Sequence, residues 1–182
     1  MAPRLKMSLH AIAAAFQFLS RLPMPVTVPF EEATLARSVV AYPAVGLVIG
    51  LLVAAVCAAA GWLLPALPAA IIALAVWVGL TGGLHLDGLM DTADGLLSHR
   101  SRERMLEIMK DSRVGAMGVI AGCMQLLLKA ALLTLWTGDA GRQALLLLPA
   151  APLLSRAFLL RPSPAGRTPA PRAQASAACT AA

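Results

Sequence analysis

The sequence predicts an all-α, polytopic helical membrane protein. Of its 182 residues, 59% are apolar and 13% are charged, whereas soluble domains average about half apolar and a quarter charged. No Asp, Glu, Lys or Arg lies between Arg37 and Asp87. Because a transmembrane helix needs about 20 apolar residues, this interval is long enough for two crossings. The composition excludes a soluble enzyme, a nucleic-acid-binding domain and a disordered chain.

The elements follow from the hydropathy pattern in chain order. Residues 8–22 predict an interfacial helix, residues 24–29 a proline-rich extended connector and residues 31–37 a short polar helix. The pair Pro65 and Pro68 separates the first two spans, since proline favours a turn. We therefore expect about four transmembrane helices, at residues 42–64, 68–86, 114–136 and 143–160.

Small and charged residues within the spans predict helix contacts. Gly46 and Gly50 form a G-x-x-x-G pattern, which lets another helix approach closely. Lys129, in the third span, is interpreted as a snorkelling or inter-helix residue. The cysteines have no metal-ligand spacing and predict neither a disulfide nor a zinc site.

The distribution of basic residues predicts the topology. They precede the first span, fill the segment between the second and third spans and follow the fourth, which by the positive-inside rule places both termini in the cytoplasm. Residues 1–160 are the predicted transmembrane catalytic domain. Residues 161–182 contain eight alanines and no Leu, Ile, Val, Phe or Met, which predicts a disordered tail. The alternative for this segment is a shifted reading frame or a truncated gene.

Six of the nine acidic residues lie in the predicted cytoplasmic segment between the second and third spans. A helix beginning at Asp87 places Asp87, Asp91 and Asp94 within an arc of about 60°. Three carboxylates on one face need compensation, and Mg²⁺ is usually held by one or two carboxylates together with substrate phosphates. We expect a Mg²⁺ site that supports phosphoryl transfer.

A second acidic set follows in the same segment. Glu103, Glu107 and Asp111 share roughly one helix face with Lys110, and two facing acidic helices could hold one or two metal ions. The alternative is a solvated hairpin in which nearby arginines offset these charges.

Two further residues are candidates for the site. Arg113 precedes a glycine-containing helix start, where backbone N–H groups attract anions, and its guanidinium matches phosphate oxygens. His85 lies two residues before Asp87 and points to the opposite helix face, so it is either catalytic or structural.

Two central segments and one N-terminal segment carry a family resemblance. The segments G-G-L-H-L-D-G-L-M-D-T-A-D-G-L and R-E-R-M-L-E-I-M-K-D-S-R-V-G-A-M-G, with F-L-S-R-L-P-M-P nearer the N-terminus, closely resemble the cobalamin synthase (adenosylcobinamide-GDP ribazoletransferase) family. The resemblance implies a multi-pass, Mg²⁺-dependent enzyme of the cell inner membrane. Such an enzyme joins adenosylcobinamide-GDP to α-ribazole, or to its 5′-phosphate, and releases GMP.

The resemblance also implies roles for the candidate residues. Metal and diphosphate binding falls to Asp87, Asp91 and Asp94, which with His85 are the catalytic candidates. The second-cluster metal candidates are Glu103, Glu107 and Asp111, and the diphosphate candidates are Lys110, Arg113 and Arg21. The expected partners are the two substrates, the lipid bilayer, and either other cobalamin-assembly enzymes or further copies of the chain.

Two alternatives and one departure from the family remain at this point. A CDP-alcohol phosphotransferase would share Asp87-Gly88, but Asp91-Thr92 stands where that family has Ala-Arg. In a divalent-cation transporter the aspartates would be an ion site. Family members continue with further membrane helices beyond the position of Arg156, so we expect a chain that is truncated or frame-shifted at its C-terminal end and whose activity is in question.

Overall fold

The structure, a computed structural model, describes residues 3–26, 28, 31–137 and 145–160. These residues form α-helices and short turns, with no β-strand among them. The helices are α1 (Pro3–Leu19), α2 (Glu32–Ser38), α3 (Tyr42–Leu63), α4 (Ala66–Thr81), α5 (Leu84–Leu96), α6 (Arg102–Ile108), α7 (Ala116–Thr137) and α8 (Ala150–Phe158). A 3-10 turn, Val39–Ala41, joins α2 to α3. The all-α prediction is confirmed for the described residues.

Within the part of the chain that the structure describes, two helices are long and apolar enough to cross a membrane. They are the continuous helical stretch Ala33–Leu63, which contains α3, and α7. Their apolar parts agree with the predicted spans at residues 42–64 and 114–136. The bent pair α4 and α5 counts as a third if it forms one span. The stretch Leu145–Phe158 is shorter, so the fourth crossing stays a prediction.

The second predicted span, residues 68–86, is not one continuous helix. Helix α4 stops at Thr81 because Gly82 and Gly83 adopt φ angles of +62° and +74°, a region that costs residues with a Cβ atom roughly 1–2 kcal/mol. The amide of Gly83 donates to the carbonyl of Val78 at 3.1 Å, which closes the end of the helix. Helix α5 then leaves at 87° to α4.

The core is centred on one face of α3. Val45, Ile49, Val53 and Cys57 are at most 1% exposed and recur every three to four residues, as one face of a helix requires. Helix α3 packs against α4 and α8, and α4 packs against α7.

The G-x-x-x-G pattern of α3 makes a close helix contact, as predicted. A Cβ atom at Gly46 would lie 2.8 Å from the carbonyl carbon of Pro152, and one at Gly50 would lie 2.7 Å from the Pro152 ring. These distances are too short for real atoms, so the two glycines allow α8 to approach α3.

Helix α1 is packed against the other helices. Ala14, Ala15 and Leu19 are at most 1% exposed, and α1 contacts α2 and α3. Two residues after the end of α1, the amide of Arg21 donates a hydrogen bond to the carbonyl of Leu80 at 2.7 Å. This hydrogen bond holds Arg21 beside the turn between α4 and α5. The predicted tail at residues 161–182 lies outside the described residues.

Candidate functional site

A wide cavity lies where the end of α1 meets the turn between α4 and α5. Its volume is about 720 Å³. Arg21 and Asp87, which come from segments 66 positions apart in the chain, both line it, together with Gln17, Ser20, Thr81 and the two turn glycines. The cavity therefore brings together a cationic and an anionic residue from the predicted site.

The turn glycines leave room for Arg21. A Cβ atom at Gly82 would lie 3.0 Å from Cγ and 3.2 Å from Cδ of Arg21. Glycine is therefore needed at position 82 for two reasons. The backbone there is left-handed, and the Arg21 side chain occupies the space that a Cβ atom would fill. Arg21 is exposed in the cavity, where its guanidinium is available to an anion.

Asp87 and Asp91 lie one turn apart on α5. Asp87 is exposed and Asp91 is half-buried, and neither carboxylate is hydrogen bonded or ion paired to another described residue. Side chains four residues apart share one face of a helix. Both carboxylates keep their oxygens available for a ligand.

Asp94 lies on the same helix but contacts the start of α7. One carboxylate oxygen accepts a hydrogen bond from the Gly115 amide at 2.7 Å, and the other accepts one from the Gly118 amide at 2.7 Å. Amides in the first turn of a helix have no partner within the helix. Asp94 is therefore a cap of α7, a role that the sequence did not predict.

His85 faces away from the wide cavity, as its helix position predicts. It lines a second cavity of about 280 Å³ between α4, α5, α7 and α8. Asp87 lines the first cavity and His85 the second, so α5 separates the two side chains. Lys129 and Arg156, which the sequence did not place in the site, also line the second cavity.

The two glutamates of the second acidic set are engaged within α6. Arg104 pairs with Glu107. The Ser101 hydroxyl oxygen accepts the Arg104 amide at 3.4 Å and caps the helix. The Glu103 carboxylate accepts hydrogen bonds from the backbone amide of Glu103 and from the Ser101 side chain, and these bonds lower the pKa of Glu103. This arrangement agrees with the solvated-hairpin alternative.

Asp111 and Arg113 form a local ion pair. The Arg113 Nη2 atom lies 2.8 Å from Oδ2 of Asp111, and Nε lies 3.1 Å from Oδ1. These bonds, with one from the Arg113 amide, lower the pKa of Asp111 from 3.8 to about 2. The charge of Arg113 is thus compensated by Asp111. Lys110, on the same loop, is exposed.

The hairpin of α5 and α6 is packed through apolar atoms. A Cβ atom at Gly95 would lie 2.6 Å from Cγ of Met109, so the two helices meet at this glycine. Among the described residues, no group of three or more His, Cys, Asp or Glu side chains could hold a metal ion. Among these residues, the two acidic sets therefore form no joint metal-binding group.

The residues present still fit one mode of Mg²⁺ binding. The ion is commonly held by one or two carboxylates, with substrate phosphates completing its shell. Asp87 and Asp91 supply two such carboxylates with unused oxygens, and Arg21 lies in the same cavity as Asp87. The predicted role of Asp87 and Asp91 as metal ligands stays a prediction.

Comparison with known proteins decides the family. Residues 11–181 match the cobalamin-5-phosphate synthase family. The chain belongs to this family. No solved structure matches the chain.

Curated relatives in this synthase family match two thirds or more of the chain. The chain is 56% identical to the adenosylcobinamide-GDP ribazoletransferase of Brevibacillus brevis over 122 residues, 67% of the chain and 49% of the relative. It is 49% identical to that of Herpetosiphon aurantiacus over 138 residues, 76% and 55% of the two chains. It is 47% identical to that of a Roseiflexus species over 145 residues, 80% and 53%. The chain thus spans about half the length of these relatives.

Membership of the synthase family favours the cobalamin interpretation of the chain over the two alternatives. A CDP-alcohol phosphotransferase or a divalent-cation transporter would have been expected to match another family. The sequence resemblance to cobalamin synthase is therefore confirmed.

Proposed function

We propose that the chain transfers adenosylcobinamide phosphate from adenosylcobinamide-GDP to α-ribazole or its 5′-phosphate. A ribazole hydroxyl oxygen forms a bond to the phosphorus linked to cobinamide, the phosphoanhydride bond breaks, and GMP leaves. The product is adenosylcobalamin or its phosphate. The observation that carries the proposal is that Arg21 and Asp87, both in segments that resemble the family, line one cavity.

Arg21 is proposed to bind the diphosphate of the substrate. Its guanidinium is exposed in the cavity, and Asp87 is the one acidic residue among the described residues that line this cavity. A planar guanidinium donates two parallel hydrogen bonds to phosphate oxygens. Bound in this way, the phosphorus is oriented and the negative charge that grows on the leaving phosphate is stabilised.

Asp87 and Asp91 are proposed to hold Mg²⁺ through their free carboxylate oxygens. Bound Mg²⁺ would neutralise phosphate charge during the transfer. The proton of the attacking hydroxyl passes to a carboxylate of this pair. Asp94 instead keeps α5 and α7 together, because its two oxygens accept amides of α7.

The setting of the reaction follows from the same proposal. The apolar helices lie in the cell inner membrane, with both termini and the α5–α6 hairpin in the cytoplasm. The chain associates there with further copies of itself or with other enzymes of cobalamin assembly.

An assay on membrane fractions tests the proposal. GMP and cobalamin are measured from adenosylcobinamide-GDP and α-ribazole, with Mg²⁺ or with a chelator. We expect metal-dependent product, and turnover lowered on the order of a hundredfold in Asp87→Asn and Asp91→Asn. Glu107→Gln is the matched control because Glu107 is paired with Arg104 on α6.

The control experiments separate the possible outcomes. Immunoblots of the membrane fraction check that each variant is inserted at the wild-type level. The relative from Brevibacillus brevis serves as the positive control. Normal turnover in Asp91→Asn contradicts the assignment of the carboxylates, and no product from the chain beside product from the relative contradicts its proposed activity.

A further inference from the structure

The second cavity is polar and carries positive charge. It lies between α4, α5, α7 and α8 and measures about 280 Å³. Among the described residues, its polar lining consists of Thr81, His85, Gln125, Lys129, Ser155 and Arg156, with no Asp or Glu. A cavity of this kind within apolar helices favours an anion.

Within the described part of the chain, Arg156 is a buried residue of this cavity that lacks a hydrogen-bond partner at one nitrogen atom. The residue is only 4% exposed, and its Nε atom is buried without a hydrogen-bond partner among the described residues. An arginine side chain remains charged in proteins. Because burying an unpaired charge is strongly unfavourable, charged residues within membrane helices are almost always paired and mark functional sites.

Lys129 adds a second positive charge that is only partly compensated. Its Nζ atom lies 4.9 Å from the centroid of the Trp77 ring, a cation–π contact that attracts the ammonium group without neutralising it. Lys129 forms no ion pair with another described residue. Two cations from different helices, α7 and α8, therefore face one cavity.

We propose that the second cavity binds the phosphate group of a small phosphate ester. Two cations match the charge of a phosphate monoester, and the guanidinium of Arg156 matches its oxygens. Gln125 and Ser155 supply further donors. The volume lies near the lower end of small-molecule sites, so the cavity takes a phosphate with a compact attached group.

This site adjoins the cavity that contains Arg21 and Asp87, since Thr81, Gly83 and Leu86 line both, but the charged residues of the two cavities differ. His85 faces one cavity and Asp87 the other. The inference does not depend on the proposed transferase activity, because it rests on Arg156, Lys129 and the lack of an acidic side chain among the described lining residues. Its test measures binding and not turnover.

The test uses the full chain purified in a neutral maltoside detergent. Titration calorimetry compares ribose 5-phosphate with ribose, and native mass spectrometry compares dioleoyl phosphatidic acid with dioleoylglycerol. Each pair differs only in the phosphate. We expect binding of at least one phosphorylated probe and of neither phosphate-free probe. Binding of the sugar phosphate alone identifies a soluble ligand, and binding of phosphatidic acid alone identifies a lipid headgroup.

The variants are Arg156→Gln, Lys129→Gln and the control Arg37→Gln, which removes an exposed charge on α2. We expect the affinity to fall roughly ten- to hundredfold in the first two and to stay at the wild-type value in the control. Without a probe, Arg156→Gln should unfold at or above the wild-type temperature, because it removes an unpaired charge. If Arg156→Gln does not fold, Lys129→Gln decides.

Three results would overturn the proposal. One is that neither phosphorylated probe binds. Another is that both probes bind Lys129→Gln and Arg156→Gln as tightly as the wild type. The third is that Arg156→Gln folds but, without a probe, unfolds at a lower temperature than the wild type, which would mean that a protein group already pairs with the arginine.

Discussion

The Asp94 carboxylate accepts a 2.7 Å hydrogen bond from the backbone amide of Gly118, across the interface of α5 and α7. Its other oxygen accepts the amide of Gly115 at the same distance. One side chain thus satisfies two amides at the start of α7 and places a negative charge at the positive end of the helix dipole. The contact fixes the acidic helix α5 to α7.

Replacing Asp94 is expected to lower the free energy of unfolding. Asp94→Ala removes both acceptors and should cost about 1–2 kcal/mol, as loss of an N-terminal cap does. Asp94→Asn keeps one acceptor oxygen and should cost less. Chemical unfolding in detergent measures both, with Asp91→Asn as the control because Asp91 has no such contact. Wild-type stability in Asp94→Ala would contradict the capping role.

Gly118→Ala tests the same contact from the side of α7. A Cβ atom there would lie 2.9 Å from the carbonyl oxygen of Met90 and would press on the Asp94 carboxylate. We expect a loss of about 1–3 kcal/mol in the free energy of unfolding, as for other overpacked sites. Gly79→Ala is the matched control in α4, since a Cβ atom added there would meet no atom within 4 Å. We expect Gly79→Ala to leave the free energy of unfolding unchanged or to raise it by about 0.5–1 kcal/mol. An equal loss of stability in Gly118→Ala and Gly79→Ala would exclude a specific clash at Gly118.

The sequence predicts the spans well and their junctions less well. Long apolar runs determine α3 and α7 to within about two residues, because hydropathy depends on local composition. The predicted end of the second span is misplaced because the apolar run continues through Gly82 and Gly83 to Leu86, so the turn is marked only by two glycines. A double glycine does indicate a turn, and here that signal outweighs hydropathy.

Tertiary contacts explain why the sequence predicts the site only in part. The spacing of Asp87 and Asp91 places both on one face of α5, as found. The role of Asp94 depends on a helix that starts about twenty residues later, and no local pattern encodes that contact. In the same way, Lys129 and Arg156 come from separate helices, and only the packing of α7 and α8 brings both to one cavity.

Gly83→Ala is expected to strain the turn between α4 and α5. Gly83 has a φ of +74°, and an added Cβ would meet no atom within 4 Å, so backbone strain is isolated from any clash. We expect a loss of about 1–2 kcal/mol in the free energy of unfolding. Gly83→Asn should lose less, because asparagine tolerates this region better. If Gly83→Ala and Gly83→Asn lose the same amount, the cause is not the left-handed backbone.

Arg113→Gln is expected to raise the pKa of Asp111 from about 2 toward its ordinary value of 3.8, because the guanidinium that stabilises the carboxylate is removed. Carbon-13 shifts of labelled aspartate carboxyls measure this titration. A folded-state pKa below the unfolded value contributes stability that is present above pH 3.8 and is lost as the pH falls through about 2. The stability difference between wild type and Arg113→Gln should therefore shrink across that interval.

The control is Lys110→Gln, which removes the same charge from the residue before Asp111. We expect this variant to leave the pKa of Asp111 close to 2. An equal shift in both variants would show that the net charge of the segment lowers the pKa of Asp111, and not the hydrogen bonds from the Arg113 guanidinium.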